Sequence, residues 1–145
     1  MSEKDVPIIA DIEKMTYTMP WSDTSFYSEV YSRYSLTRIA ELEGRIVGYI
    51  CVRQIADECH LLNLTVDSAF RRRGIASLLF TDVLGDLTGS GGRFLYLEVR
   101  ASNHEAKRLY EKFGFKMVGM RKNYYIRPEE NALIMMREIG PPSPA

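Results

Sequence analysis

Apolar positions along this chain follow two periodicities, and the switches between them divide it into helices and strands. Near the start, Asp5 can cap a helix from about Val6, and Pro7 is tolerated in its first turn. Ile8, Ile12 and Met15 then recur at spacings of four and three, which predicts one buried helical face. Pro20 ends that region. Ser22 or Asp23 can cap a second helix through about Tyr34, with Phe26, Val30 and Tyr34 as its apolar stripe. Leu36 to Leu42 reads as a strand and Glu43-Gly44 as a tight turn. Arg45 to about Ile55 is the hairpin partner, Ala56-Asp57-Glu58 a second polar turn, and Cys59 to Val66 a third, strongly apolar strand. These three predict an antiparallel meander.

The period then changes. Gly74 opens a helix to about Leu87, with Ile75, Leu78, Leu79, Val83 and Leu87 expected to face inward. Gly89-Ser90-Gly91-Gly92 is a loop. Phe94 to Val99 is a strand with Phe94, Tyr96 and Glu98 on one face and Leu95, Leu97 and Val99 on the other. Ser102-Asn103-His104-Glu105 fits the capping box that starts a helix, with Ala106, Leu109, Tyr110 and Phe113 on its inner face and Gly114 as its C-cap. Lys116 to about Tyr125 and Asn131 to Glu138 form a final hairpin, joined across Arg127-Pro128-Glu129-Glu130. Helices, meander, helix, strand, helix, hairpin: that order predicts an α+β (mixed α/β) layered fold.

Composition narrows the function classes. With 145 residues, the chain is expected to be one domain over 1–140, followed by a Pro-rich tail, 141–145, that cannot build regular structure. Lys+Arg and Asp+Glu are 19 each, a net charge of +0, which argues against a broadly basic nucleic-acid binder. Cys51 and Cys59 lie in apolar segments and read as reduced core residues. Together with His60 they lack paired C-x-x-C spacing and a fourth ligand, so no metal site is expected. No apolar run approaches the ~20 residues of a membrane span, and the polar start carries no signal-peptide core. A cytoplasmic protein without membrane contact is the expectation.

Against this overall neutrality, Arg71-Arg72-Arg73-Gly74-Ile75-Ala76-Ser77 concentrates positive charge where a strand passes into a helix. The first N–H groups of a helix have no partners inside it and carry about half a positive charge through the macrodipole. Small residues let phosphate oxygens approach that backbone, and arginines add charge-assisted hydrogen bonds. The physics is that of a pyrophosphate cradle, although neither G-x-x-x-x-G-K-[ST] nor G-x-G-x-x-G is present. A solvated arginine run is the alternative reading.

The segment resembles the [RQ]-x-x-G-x-[GA] motif with which the GNAT acetyltransferases bind acetyl-CoA. Met19-Pro20-Trp21-Ser22, Leu97-Glu98-Val99-Arg100 running into Ala101-Ser102-Asn103, Leu109-Tyr110-Glu111-Lys112-Phe113-Gly114-Phe115, and Asn123-Tyr124-Tyr125 before Glu130 to Met135 are similar to the N-terminal (α-amino) acetyltransferase branch. That branch includes the RimI-like ribosomal-protein-alanine N-acetyltransferases of bacteria and their archaeal and eukaryotic relatives. The resemblance covers about residues 6–138. It implies a central, mostly antiparallel sheet flanked by helices, with the family's first strand short or missing here, because only a few polar residues precede Pro7.

The resemblance also implies roles. Acetyl-CoA would enter a split between the strand 59–66 and the strand carrying Glu98. The backbone of Leu64, Thr65 and Val66 would pair with the pantetheine arm, the Val66 N–H would polarise the thioester carbonyl, and the Arg71–Ser77 segment would hold the pyrophosphate. Asn103 would hydrogen-bond the pantetheine or cap its own helix. Glu98 would be the general base, and an α-amine, with a pKa near 8, suits a carboxylate base better than lysine does. A salt bridge to Arg100 or Arg53 is the structural alternative for Glu98. Tyr110 would protonate the departing CoA thiolate, or else serve as a core aromatic whose hydroxyl finds a partner. Trp21 on one side and Tyr124 and Tyr125 on the other would wall in a peptide, unless they only pack. The expected reaction moves acetyl from acetyl-CoA to the N-terminal α-amine of a protein, releasing CoA. Partners would be a peptide N-terminus and the ribosome or a ribosomal protein. The rival readings are a GNAT acting on lysine or a small amine, and a non-catalytic CoA-binding domain.

Overall fold

A computed structural model describes residues 1–126 and 128–141. Four helices, α1 (Val6–Thr16), α2 (Asp23–Tyr31), α3 (Ile75–Gly89) and α4 (His104–Lys112), flank six strands: β1 (Ser35–Leu42), β2 (Arg45–Ile55), β3 (Glu58–Val66), β4 (Phe94–Arg100), β5 (Lys116–Ile126) and β6 (Glu129–Glu138). They form one mixed sheet in the order β1-β2-β3-β4-β6-β5. Only β3 and β4 run parallel. No strand precedes α1 among the described residues; a short 3-10 turn, Glu3–Asp5, stands there instead. Arg127, in the last hairpin, and the tail beyond Pro141 lie outside the described residues.

Each face of the sheet has its own apolar core. Ile50, Val52, Leu61, Leu95, Leu97, Val99 and Met135 pack on α3, with Phe80 stacked at 4.5 Å on Phe113 just past α4. On the opposite face, Tyr49 and Cys51 meet Val6, Ile9, Ala10 and Ile12 of α1 and Phe26 of α2. Alternation along β2 divides these residues between the two cores. Both cysteines are buried and free, and burial pushes the Cys51 thiol up to about 12 and the Cys59 thiol to about 11.

Several local expectations need correction. Ile8 and Met15 are exposed, at 48% and 86%, so the buried face of α1 is Val6, Ile9, Ala10, Ile12 and Glu13. A buried carboxylate on the inner stripe hid the true period. Asp5 makes no side-chain cap for α1; its carboxylate accepts from the N–H and hydroxyl of Ser2. α2 stops at Tyr31, leaving Tyr34 beyond it and exposed. On α3, Leu78 is exposed and Phe80 faces the core in its place. α4 is capped by Asn103, whose Oδ1 accepts from the Ala106 N–H at 3.1 Å, rather than by Ser102. At its other end, Gly114 N–H to Glu111 C=O and Phe115 N–H to Tyr110 C=O close the helix with Gly114 at φ +89°, as a glycine terminator should.

Candidate active site

The site begins where two strands part. β3 and β4 pair only through Glu58–Phe94, Cys59–Leu95 and His60–Tyr96. Beyond His60, β3 keeps β2 as its partner as far as Val66, while β4 keeps β6 as far as Arg100. The inner side of β3 from Leu61 to Val66 therefore has no strand partner. Such an edge offers backbone donors and acceptors to an extended ligand. Leu64, Thr65 and Val66 lie along it. Leu64 leans on the main core, and Thr65 is buried beneath the loop that follows α1.

A β-bulge adds to this. Cys51 pairs with Asn63 and Val52 with Leu61, so Leu62 is an extra residue in β3. Simple alternation would send Leu62 and Asn63 to opposite faces. The bulge instead puts Leu62 in the α1–α2 core and aims Asn63 and Thr65 at the same helices. Nothing in the apolar pattern of β3 announces it.

At the C-terminal end of β3, Arg71, Arg72, Arg73 and Gly74 are exposed and lead into α3. Gly74 has φ +76° and Arg72 φ +65°, the left-handed region that a non-glycine residue enters only under strain. The first bond of α3 is Leu78 N–H to Gly74 C=O, 3.0 Å, and no side chain caps the amides before it. Ile75, Ala76 and Ser77 thus present helix N-terminal N–H groups beside three arginines, a fit for a diphosphate. The Arg45 and Arg73 guanidinium groups both lie over the Phe70 ring, at 5.2 and 5.3 Å.

Glu98 lies on the sheet face opposite α3 and α4, one-third exposed. Its partner is Arg121, whose Nη1 is 3.2 Å from Oε1, and neither of the two arginines expected from sequence. Arg53 pairs with Glu29 at 2.5 Å. Arg100 lies 3.7 Å from Glu130 and packs over the Tyr125 ring at 4.2 Å. Tyr124 and Tyr125 stand edge to face at 5.2 Å, with Arg121 over Tyr124. They are raised by an irregularity in β5: three residues separate Arg121 from Tyr125, whereas only Asn131 separates their β6 partners. Asn123 takes φ +53° there and donates its N–H to Asn131 Oδ1 at 2.9 Å.

Tyr110 comes from α4, partly buried against Phe113 and Phe115, and no hydrogen bond to its hydroxyl occurs among the described residues. Burial first, then the nearby Tyr17 and Tyr125, hold its phenol well above the ordinary tyrosine range. Tyr125 is pushed up too, by burial and then by Glu98. Tyr125 thus stands between the two, raising Tyr110 and itself raised by Glu98. Trp21 sits on the other half of the site, packed on Phe26 at 5.2 Å. It borders a groove of about 420 Å³ with Thr24, Ser25, Ser28, Glu29, Arg53 and Leu62. Sequence reasoning missed Tyr17, whose hydroxyl is 2.8 Å from Thr65 Oγ1, and Glu13 and Asn63 beneath it. No local signal marks them, because residue type assigns the Glu13 carboxylate to solvent and the β3 bulge that turns Asn63 toward it leaves no trace in the apolar pattern.

Residues 6–115 match the Acetyltransferase (GNAT) family. The [Ribosomal protein bS18]-alanine N-acetyltransferase of Haemophilus ducreyi is 37% identical over 92% of this chain and 93% of its own length. The crystal structure of the ribosomal-protein-S18-alanine N-acetyltransferase from Escherichia coli superposes with a TM-score of 0.91 at 31% identity, covering 99% of this chain and 93% of that one. Ard1 from Thermoplasma volcanium gives 0.86 at 28%, with 96% and 94% covered. The chain belongs to the GNAT family of acetyltransferases. No helix among the described residues is long and apolar enough to cross a membrane.

Proposed function

We propose that this enzyme acetylates the N-terminal α-amine of a ribosomal protein beginning with alanine or serine, in the cytoplasm, by direct attack of the amine on the thioester. The observation that carries the proposal is the parting of β3 and β4 after His60–Tyr96, which leaves the edge of β3 from Leu61 to Val66 without a strand partner. Acetyl-CoA supplies the acetyl group. Leu64, Thr65 and Val66 would hold its pantetheine arm along the free edge of β3, and the Arg71–Ser77 turn would hold its diphosphate. Asn103 serves as the helix cap, because its Oδ1 is engaged by Ala106.

Glu98 takes the proton from the attacking amine, directly or through one water. The nitrogen forms its bond to the carbonyl carbon, and the carbon–sulfur bond breaks. Tyr110 then gives its phenolic proton to the departing sulfur, and the proton held by Glu98 returns to the phenolate through solvent, restoring both groups. Trp21 forms one wall for the acceptor peptide, and Tyr124 and Tyr125 form the other. The relatives named as acting on the alanine of ribosomal protein bS18 favour that acceptor over lysine or a small amine.

Mass spectrometry on a peptide library with free and blocked N-termini tests this. Acetylation confined to free α-amines, highest where alanine or serine comes first, is expected. Acetylation persisting on blocked, lysine-bearing peptides would overturn it.

A further inference from the structure

The most deeply buried charged side chain among the described residues is outside the reaction centre just proposed. Glu13, on α1, is 2% exposed. Its two oxygens accept hydrogen bonds from three separate parts of the fold. Oε1 receives the Tyr49 hydroxyl of β2 at 2.5 Å and the Asn63 side-chain N–H of β3 at 3.1 Å. Oε2 receives the backbone N–H of Trp21, in the loop between α1 and α2, at 3.0 Å. Asn63 Oδ1 in turn accepts from the Thr65 hydroxyl at 2.7 Å, which lies 2.8 Å from that of Tyr17.

None of the three donors carries a charge. A carboxylate removed from water is costly unless donors replace its hydration, and an apolar side chain would fill this space without that cost. What an apolar side chain cannot do is accept on two sides at once. An ionised carboxylate accepts only, which suits a site surrounded by donors. The bulge at Leu62 is what brings Asn63 to this face, so β3 is irregular at the point where it meets Glu13.

We infer that Glu13 is a positioning residue that ties the Trp21 loop to strand β3, fixing the distance between the wall that receives the acceptor peptide and the strand that receives the thioester. The inference rests on the roles proposed above for Trp21 and for Leu64–Val66. Glu13 itself touches no reacting atom. It works through the Trp21 amide on one side and Asn63 on the other.

Glu13→Gln tests it because the shape is kept and one acceptor becomes a donor. With Oε1 retained by Tyr49 and Asn63, the new amide N–H₂ faces the Trp21 N–H, donor against donor. The acceptor-peptide KM should rise about tenfold or more, while the acetyl-CoA KM stays within about twofold. Trp21 is the sole tryptophan, so its fluorescence reports the loop directly. In Glu13→Gln it should become more open to acrylamide quenching. Tyr49→Phe removes a different donor from the same carboxylate and should leave both the quenching and the peptide KM near wild type. In the unaltered enzyme, the Trp21 amide should exchange with deuterium far more slowly than those of Thr18 and Met19, a measurement that stands even where a variant fails to fold.

A folded Glu13→Gln enzyme with unchanged peptide KM and unchanged quenching would overturn the inference. So would equal losses toward both substrates, or fast exchange at Trp21. A wild-type enzyme inactive on every free N-terminus would refute the proposed acceptor instead, and quenching and exchange would still decide whether Glu13 holds the loop.

Discussion

Arg121 Nη1 lies 3.2 Å from Glu98 Oε1, bridging from β5 across the intervening β6 to the carboxylate proposed as general base. The pair is accessible to solvent on both sides, 52% for the arginine and 33% for the glutamate. Exposed ion pairs of this kind contribute about 0–1 kcal/mol. Glu98 is therefore not committed to Arg121, and an entering amine can compete for it.

That weakness separates two variants. Glu98→Gln should lower kcat by about 10²–10⁴-fold, the range for loss of a general base, while leaving acetyl-CoA binding intact. Arg121→Ala should leave kcat within about threefold, as an exposed partner contributes little. Steady-state kinetics with acetyl-CoA and peptide varied separately reads both. Equal damage from the two substitutions would mean that the ion pair, and not the free carboxylate, is what the site requires.

Tyr110 gives a pH prediction with a definite sign. Its phenol is held above the ordinary value of about 10, so the acid form dominates at neutral pH and is lost only as pH rises beyond the usual tyrosine range. The kcat profile should therefore show no falling limb from a tyrosine below about pH 10. Tyr110→Phe should lower kcat by about 10²-fold or more, with little change in acetyl-CoA KM. A falling limb between pH 7 and about 9 that disappears in Tyr110→Phe would contradict the raised value.

The same kind of shift bears on stability. Tyr49 and Tyr110 are both raised in the folded protein, Tyr49 by burial and then by its bond to Glu13. The unfolded chain ionises these groups near pH 10, before the folded protein does. Their contribution is complete below that pH and falls as pH rises from there toward the folded values. Thermal melts should accordingly hold steady from pH 7 to about 9 and drop steeply above about 10.

Much of this was readable beforehand, and the reasons differ by element. β2 was found end to end because Ile46 to Val52 is apolar without interruption and lies between two tight turns. The start of α3 was readable because Gly74 stands where the apolar period changes from two to that of a helix. The face of α1 was misread because Glu13 occupies a core position, and residue type alone assigns a carboxylate to solvent. The partner of Glu98 was missed for a different reason. Arg121 is 23 positions away and reaches it only through the pairing of β4 and β5 with β6, a relation of topology that no local spacing encodes.

Gly74 provides the sharpest test of the turn proposed to hold the diphosphate. A Cβ added there meets nothing within 4 Å, so substitution introduces no clash. Its φ of +76° is the difficulty, since an L-residue forced into the left-handed region is destabilised by roughly 1–2 kcal/mol. Gly74→Ala must either bear that strain or shift the turn, and the turn carries the amides of Ile75, Ala76 and Ser77. The melting temperature should fall by a few degrees and acetyl-CoA KM should rise, with the peptide KM unchanged. Arg73→Ala leaves the backbone alone, so it should raise acetyl-CoA KM without the thermal loss, and its effect should shrink in high salt as screening removes what the guanidinium contributed. Isothermal titration with CoA at two ionic strengths distinguishes them: a backbone defect persists in salt, and a missing charge fades. If both variants bound CoA as tightly as the wild type, the diphosphate would have to sit elsewhere along the gap.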